Sequence, residues 1–346
     1  MSESKEIDQE LRGEKFARYG WTCNELNLST LPEDAPEGAR NLAEWLTLEG
    51  RRSSLVEWLG HVKEDGRIHG RFTHIGAWTG RMAHSAPNQA NIPAAFHGEP
   101  KSMVEKVKQK YDGKMRGLWR VEKGNWLVGT DASGIQLRIL AHLMKSDAYV
   151  EAIVSGRKED ETDIHHLNRK ALGFPHVTRD MAKTYVYAYL LGAGSEKIGQ
   201  ILKVSTKEAV IAMDNFTKNI QGLERLKRNV IPYVAERGWF EGLDGRRVPV
   251  PSEHKALAGM LQNGEAVVVK NWCLDWTKKA KACGIKFKLI NIVHDETQTE
   301  VIGSREEAEV LAKIQAQSMV DTGVRLGVYC PLASESAIGR SWQETH

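Results

Sequence analysis

Apolar and polar positions change period several times along the chain, and each change predicts an element. Residues 28–40 are broken by Pro32 and Pro36 and read as a loop. A charged amphipathic helix is predicted over about 41–62. The stretch RIHGRFTHIGAWTG alternates and is interrupted by glycines, which reads as short strands around a turn. SAPNQANIP follows neither period and reads as an ordered loop. From Asn125 the pattern is strand, turn and helix: NWLVGT, then DASG, then IQLRILAHLM. Residues 147–240 are mostly helical, with one helix starting at a Thr178 cap and running TRDMAKTYVYAYLL. Gly192 and Gly194 read as its C-terminal stop rather than as a hinge. GLDGRRVPVPS is turn-rich with two strand-like edges, and the segment from His254 to Ala282 reads as one long helix. FKLINIV and TQTEVI are strands flanking HDE, and a helix near 305–322 leads to the closing SWQETH. Strands, a helical insertion, then strands and helices give an α+β chain, with an all-helical part set between two parts of a sheet-based one.

Composition narrows the class. A chain of 346 residues, 41% hydrophobic and 27% charged, is globular and can bury its own core. That excludes disorder, collagen and coiled coil. Apolar runs are short, so no membrane span is expected, and the polar leader MSESKEIDQE is not a secretory signal. The net charge of +3 permits a nucleic-acid partner without announcing one. The four cysteines form no C-x-x-C pair, which argues against zinc ribbons and redox dithiols and for reduced thiols.

Three constellations could carry chemistry. Asp131 ends an apolar strand in TDASG; its carboxylate and the Ala132 carbonyl suit a hard cation, and the alternative is a simple helix cap. Asp295 and Glu296 sit in an acidic turn between two strands. They read either as a solvated hairpin turn or, with Asp295 beside Asp131, as a two-metal site for in-line phosphoryl displacement. Arg179, Lys183 and Tyr187 recur every four residues and share one helix face, with His165 upstream able to join them. Cations in a first helical turn oppose the macrodipole, a conflict that a bound anion would relieve; the other reading is a solvated cationic edge.

These pieces stand in a familiar order. DASGIQLR resembles motif A of the family A (DNA polymerase I-like) DNA polymerases, RDMAKTYVYAYLLGAG resembles motif B, and VHDE motif C. TGRMAHSAPNQANIP resembles the family's upstream primer-template motif, and GLDGRR, LQNGEA and the terminal SWQETH also fit. The DASG and RDxAKT forms are similar to the phage replicative branch. The likeness covers roughly residues 65–346 and is weaker before that. Single-subunit RNA polymerases share similar motifs A and C. There the motif B lysine and tyrosine stand further apart than Lys183 and Tyr187 do here, and HDS usually replaces HDE.

The resemblance implies a right-hand polymerase fold: an antiparallel palm sheet with helices, inserted all-helical fingers, and a thumb largely absent. It implies a thumb-tail-like leader at 1–64, palm at 65–146, fingers at 147–240 and palm again at 241–346. It further implies a DNA-directed DNA polymerase, extending a primer 3′ end with deoxynucleotides by a two-Mg2+ mechanism in DNA replication. Asp131, Asp295 and the Ala132 carbonyl match the metal ligands, and Glu296 the acidic neighbour near the primer end. Arg179, Lys183 and His165 match residues that grip the incoming triphosphate, and Tyr187 packs on its sugar. Arg81, Asn88, Asn91, Arg138, Gln262 and His294 match primer or template contacts. Closure of the motif B helix over the nucleotide would test the shape of the base pair.

The chain departs from the family's pattern at several places. Gln136 stands where the family has the glutamate that helps exclude a ribose 2′-hydroxyl, so altered sugar discrimination is expected. Tyr187 in place of phenylalanine implies acceptance of dideoxynucleotides. Leu191 replaces a usual tyrosine and Ala188 a usual glycine. The residues ahead of the palm are too few for a 3′–5′ exonuclease domain and a full thumb; KFARYGW and the helix after it resemble only a thumb's tail. Either the chain is a trimmed piece of a longer polymerase or a separate chain supplies these parts; Met1 with its polar leader favours a natural start, and with it the second. Location in the cytoplasm of a bacterial or phage-infected cell follows. The alternative function is a catalytically weak primer-template-binding module of a replication complex; a metal nuclease ranks last, having no use for a triphosphate grip.

Overall fold

The structure is a computed structural model that describes residues 23–346 except 30, 33, 97 and 101. The polar leader and KFARYGW lie outside the described residues. In chain order the main elements are α1 (Glu37–Gly60), β1 (Arg71–Thr73), β2 (Ala83–Ser85), α2 (Met103–Gly117), β3 (Trp126–Ala132), α3 (Ile135–Met144), α4 (Asp147–Val154), α5 (Ile164–Leu172) and α6 (Arg179–Leu190). Then come α7 (Ser195–Leu202), α8 (Thr206–Asn219), α9 (Ile231–Arg237), β4 (Trp239–Glu241), β5 (Arg247–Pro249), α10 (Glu253–Ala282), β6 (Phe287–Val293), β7 (Glu296–Val301), α11 (Arg305–Arg325) and β8 (Ser334–Gly339). Two compact units result, one within 1–72, 84–127 and 338–346, the other within 73–83 and 128–337.

In the first unit, α1 packs on α2. Arg51 grips Asp112 in two parallel hydrogen bonds, Nε to Oδ1 at 2.8 Å and Nη2 to Oδ2 at 3.0 Å. Trp58 meets Trp119 edge-on at 5.3 Å between ring centroids. Helix α1 starts at Glu37, earlier than the sequence pattern places it, because Pro36 can precede a helix and Glu37 suits its positive end. It leaves Trp45, Val56 and Leu59 exposed. Trp45, Leu48 and Leu55 of α1, with Met115 of α2 and Leu118 just after it, line an apolar groove.

The second unit is built on a four-stranded sheet in the order β6-β7-β3-β8. Strands β6 and β7 form an antiparallel hairpin whose partners run from Phe287↔Val301 to Val293↔Glu296. The residues TQTE are polar at every position, yet every residue of β7 is buried. Neighbouring strands and α11 cover it, so its polar groups must be satisfied internally. Gln315 of α11 does part of this: its Oε1 accepts from Thr130 Oγ1 at 2.7 Å and its Nε2 donates to Thr299 Oγ1 at 3.4 Å. Helix α10 runs for 30 residues through this core. Its Trp272 is fully buried and donates Nε1–H to the Gln315 carbonyl at 2.8 Å.

Helices α3 to α9 lie between the two parts of the sheet in sequence. The cap of α6 forms as its sequence suggests, with Thr178 Oγ1 accepting from Met181 N at 3.2 Å. The inner side of α6 is held by aromatics: Tyr185 stacks on Tyr189 at 5.6 Å, and both meet Phe216 of α8 edge-on. After α6 the chain turns at Gly192, whose φ of +86° a side chain rarely adopts. A Cβ there would lie 2.9 Å from the His254 ring, so the stop is fixed by space as well. All four cysteines are free. Among the described residues no helix is long and apolar enough to cross a membrane.

Candidate active site

Strand pairing brings the two aspartates together. The Ala132 amide, one residue beyond Asp131 in β3, donates to the Asp295 carbonyl at 3.0 Å. Asp295 occupies the two-residue loop between β6 and β7, and His294 before it turns the chain with a φ of +54°. Histidine is among the few side-chain-bearing residues that enter this left-handed region with any frequency. Burial pushes the Asp295 carboxyl up to about 7, and the charges of Asp131 and Glu265 push the same way against Arg81. The Tyr187 hydroxyl of α6 is also raised, by burial first and then by the Asp295 and Asp131 charges.

A metal fits this donor set. Two carboxylates and a main-chain carbonyl are hard oxygen donors of the kind Mg2+ takes, and the repulsion felt by Asp295 is charge that a cation would offset. Among the described residues no cluster of three or more His, Cys, Asp or Glu side chains forms a metal cage. Glu296 does not add a third arm; it is buried in β7 and accepts a hydrogen bond from Gln298 Nε2.

The cationic face of α6 is anchored from within. Arg179 Nε donates to Asp163 Oδ2 at 2.8 Å, and a second Arg179 nitrogen reaches the same oxygen. Asp163 caps α5, accepting from His166 N at 3.0 Å and pairing with His166 Nδ1 at 2.7 Å. Burial works against its charge, but Arg179 and His166 hold its carboxyl well below the usual range. The conflict between Arg179 and the helix dipole is thus relieved inside the chain, by Asp163, before any ligand arrives. His165 is pushed down to about 4, by burial first and by the Arg179 and Lys183 charges next. The imidazole is therefore neutral near pH 7 and lies close to both cations, while Lys183 is exposed.

Helix α10 positions the segment carrying Arg81. Lys270 Nζ donates to the carbonyls of His74 at 2.7 Å and Gly80 at 2.6 Å, and Asn263 Nδ2 to that of Thr79 at 3.0 Å. Trp78 seats on Gly259, where a Cβ would lie 2.2 Å from its ring. Arg81 Nη2 then reaches Glu265 Oε2 at 2.5 Å. Burial and Arg81 both lower His294, against Glu265. Gln136 of α3 donates Nε2 to the same Glu265 oxygen at 3.0 Å. Arg138 is occupied by the backbone, donating to Ser133 O at 2.7 Å and to Pro331 O. Gln262 is half-buried on α10. Asn88 and Asn91 lie in the other unit, both exposed, with Asn88 Oδ1 accepting from Ala90 N at 3.1 Å. Motif reading singled out neither Asp163 nor Glu265: the first reads as an ordinary cap, and the second, although it falls in LQNGEA, as a polar position on a long helix.

The fold matches that of the POL domain of Pol1 from M. smegmatis, solved in complex with DNA primer-template and dNTP, at a TM-score of 0.79 and 24% identity, covering 99% of this chain and 61% of that one. Sheet, inserted helices and paired carboxylates define a right-hand polymerase architecture. The sequence profile of DNA polymerase family A matches residues 5–344. The DNA-directed DNA polymerase of Escherichia phage T7 is 33% identical and that of Enterobacteria phage T3 32%, each matching 88% of this chain and 45% of its own length. DNA polymerase I of Aquifex aeolicus (strain VF5) is 29% identical over 86% of this chain and 50% of its own. The chain belongs to DNA polymerase family A, and it spans about half the length of these curated relatives.

Proposed function

We propose that the chain is the palm-and-fingers catalytic part of a DNA-directed DNA polymerase acting in DNA replication. It adds deoxynucleotides to the 3′ end of a primer on a template. The Ala132–Asp295 hydrogen bond carries the reading, because it joins the ends of two strands and so pairs Asp131 with Asp295. The pair, with the Ala132 carbonyl, would hold two Mg2+ ions. Bound there, the metal supplies Lewis acidity that activates the primer hydroxyl and neutralises charge on the leaving pyrophosphate. Arg179 and Lys183 bind the triphosphate; neutral His165 donates a hydrogen bond to it. Tyr187 packs on the sugar, and Gln136 meets its 2′ side. Arg81, His294, Gln262, Asn88 and Asn91 steady the primer and template, while Arg138 and Glu296, engaged within the chain, act through the segments they hold. The protein's contribution is positioning and charge rather than covalent chemistry.

A separate chain that completes the grip on DNA is part of this reading, and the apolar groove between α1 and α2 supports it. The test is primer extension with Mg2+, a recessed primer-template and four deoxynucleotides. Wild type is expected to extend and Asp131→Ala to lose extension by at least about a thousandfold, the scale of removing essential charge stabilisation. Extension undiminished in Asp131→Ala overturns the assignment. Tight primer-template binding with no extension, alone or with host extract, favours the binding-module reading instead.

A further inference from the structure

Helix α10 delivers a carboxylate to the site from within LQNGEA, at a position to which the resemblance assigned no role. Glu265 is wholly buried. Its Oε2 accepts from both Arg81 Nη2, at 2.5 Å, and Gln136 Nε2, at 3.0 Å. Its Oε1 is buried with no hydrogen-bond partner. A carboxylate taken from water and satisfied on one oxygen is less stable than an apolar side chain of the same size. Packing therefore gives no reason for a glutamate here, whereas the two groups it holds do.

An amide can point either way, and its neighbours choose. A carboxylate paired with a guanidinium only accepts, so Gln136 must turn its Nε2 toward Glu265. The acceptor Oε1 is then what Gln136 presents to an occupant of the site. We infer that Glu265 is a positioning residue that orients Gln136 and Arg81 together, and that through Gln136 it sets selection between deoxyribose and ribose. The inference rests on the polymerase reading. Position 136 lacks a carboxylate, and Glu265 supplies one a single hydrogen bond away. A glutamate at both positions would crowd two like charges against one guanidinium. One amide and one carboxylate form a matched pair whose members can be exchanged.

The test is a cycle of four proteins: wild type, Gln136→Glu, Glu265→Gln and the double exchange. For each, KM and kcat are measured for deoxynucleotide and ribonucleotide addition. Binding of both nucleotides to a complex with a dideoxy-terminated primer is measured as well, together with the melting temperature. Each single exchange is expected to lower the deoxy-to-ribo preference about tenfold, mainly through KM, the scale of one hydrogen bond to a charged group. The double exchange is expected to recover most of the loss. A purely structural Glu265 would lower melting temperature and kcat for both nucleotides and leave the preference unchanged, which overturns the inference. Should Glu265→Gln fail to fold, the double exchange decides: recovered preference supports the inference, and no recovery, or no folding, overturns it. A wild type that neither extends nor binds nucleotide overturns the polymerase reading itself, whereas a selective wild type with an equally selective Glu265→Gln overturns only this inference.

Discussion

Asp295 ties the site's charge to the protein's stability. Its folded carboxyl titrates near 7, far above its ordinary 3.8, because burial and Asp131 oppose its charge. A raised folded value means the native state keeps a proton that the unfolded chain has lost. The associated stability is complete below about pH 4 and disappears as pH rises through about 7. Asp295→Asn removes this slope. Thermal melts without divalent metal are expected to show variant and wild type alike at pH 4 and the variant more stable by pH 8. Added Mg2+ is expected to raise wild type and leave Asp295→Asn nearly unmoved. Equal curves across the range would show that Asp295 is not crowded by Asp131. Asp131, Asp295, Arg179 and Tyr187 were legible because each sits at a fixed step from a strand end or a helix cap. Glu265 and Asp163 were not, because their meaning comes from partners distant in sequence: Arg81 and Gln136 for one, Arg179 for the other.

Among the elements, α5 and α6 form a linked pair. Asp163 caps one helix and holds the first cation of the other. Asn caps as well as Asp, while Ala loses about 1 kcal/mol. Asp163→Asn is therefore expected to keep the cap yet lose the ion pair, which lowers stability at neutral pH and raises the nucleotide KM severalfold, since Arg179 loses its charged anchor. Asp163→Ala should lose on both counts. Denaturant unfolding beside steady-state kinetics separates the two roles; an unchanged KM in Asp163→Asn would limit Asp163 to capping. The strand-turn-helix from Trp126 to Met144 was legible because an apolar run, a turn and a 3.6-residue period follow in order. Helix α2 went unassigned: polar residues and Gly113 dilute its apolar stripe, and Gly113 is there because Ala95 leaves room for little else. Strand β8 was missed for a similar reason, since SESAIG at a sheet edge carries almost no apolar signal.

For the whole molecule, the expectation is set by how the described residues would hold DNA. A polymerase gripping DNA through scattered side chains alone holds it mainly by phosphate charge, so its affinity falls steeply with salt. Extension in the presence of trap DNA is expected to stop after a few additions and to shorten further as salt rises. Long products at high salt from this chain alone would overturn the need for a second one. The α+β order of strands, helical insertion and strands was legible from periodicity. The burial of all of β7 was not, because a strand's own pattern says nothing of what will cover it.

Helix α10 has one further consequence, for how the gene can vary. Its 30 residues carry Asn263, Glu265, Lys270 and Trp272, each tied to a different neighbour. One inserted residue turns everything beyond it by about 100°. A single insertion between Glu265 and Lys270 would therefore uncouple the Arg81 segment from the sheet even though no contacting residue had changed. Insertions and deletions are therefore expected only in the loops at its two ends.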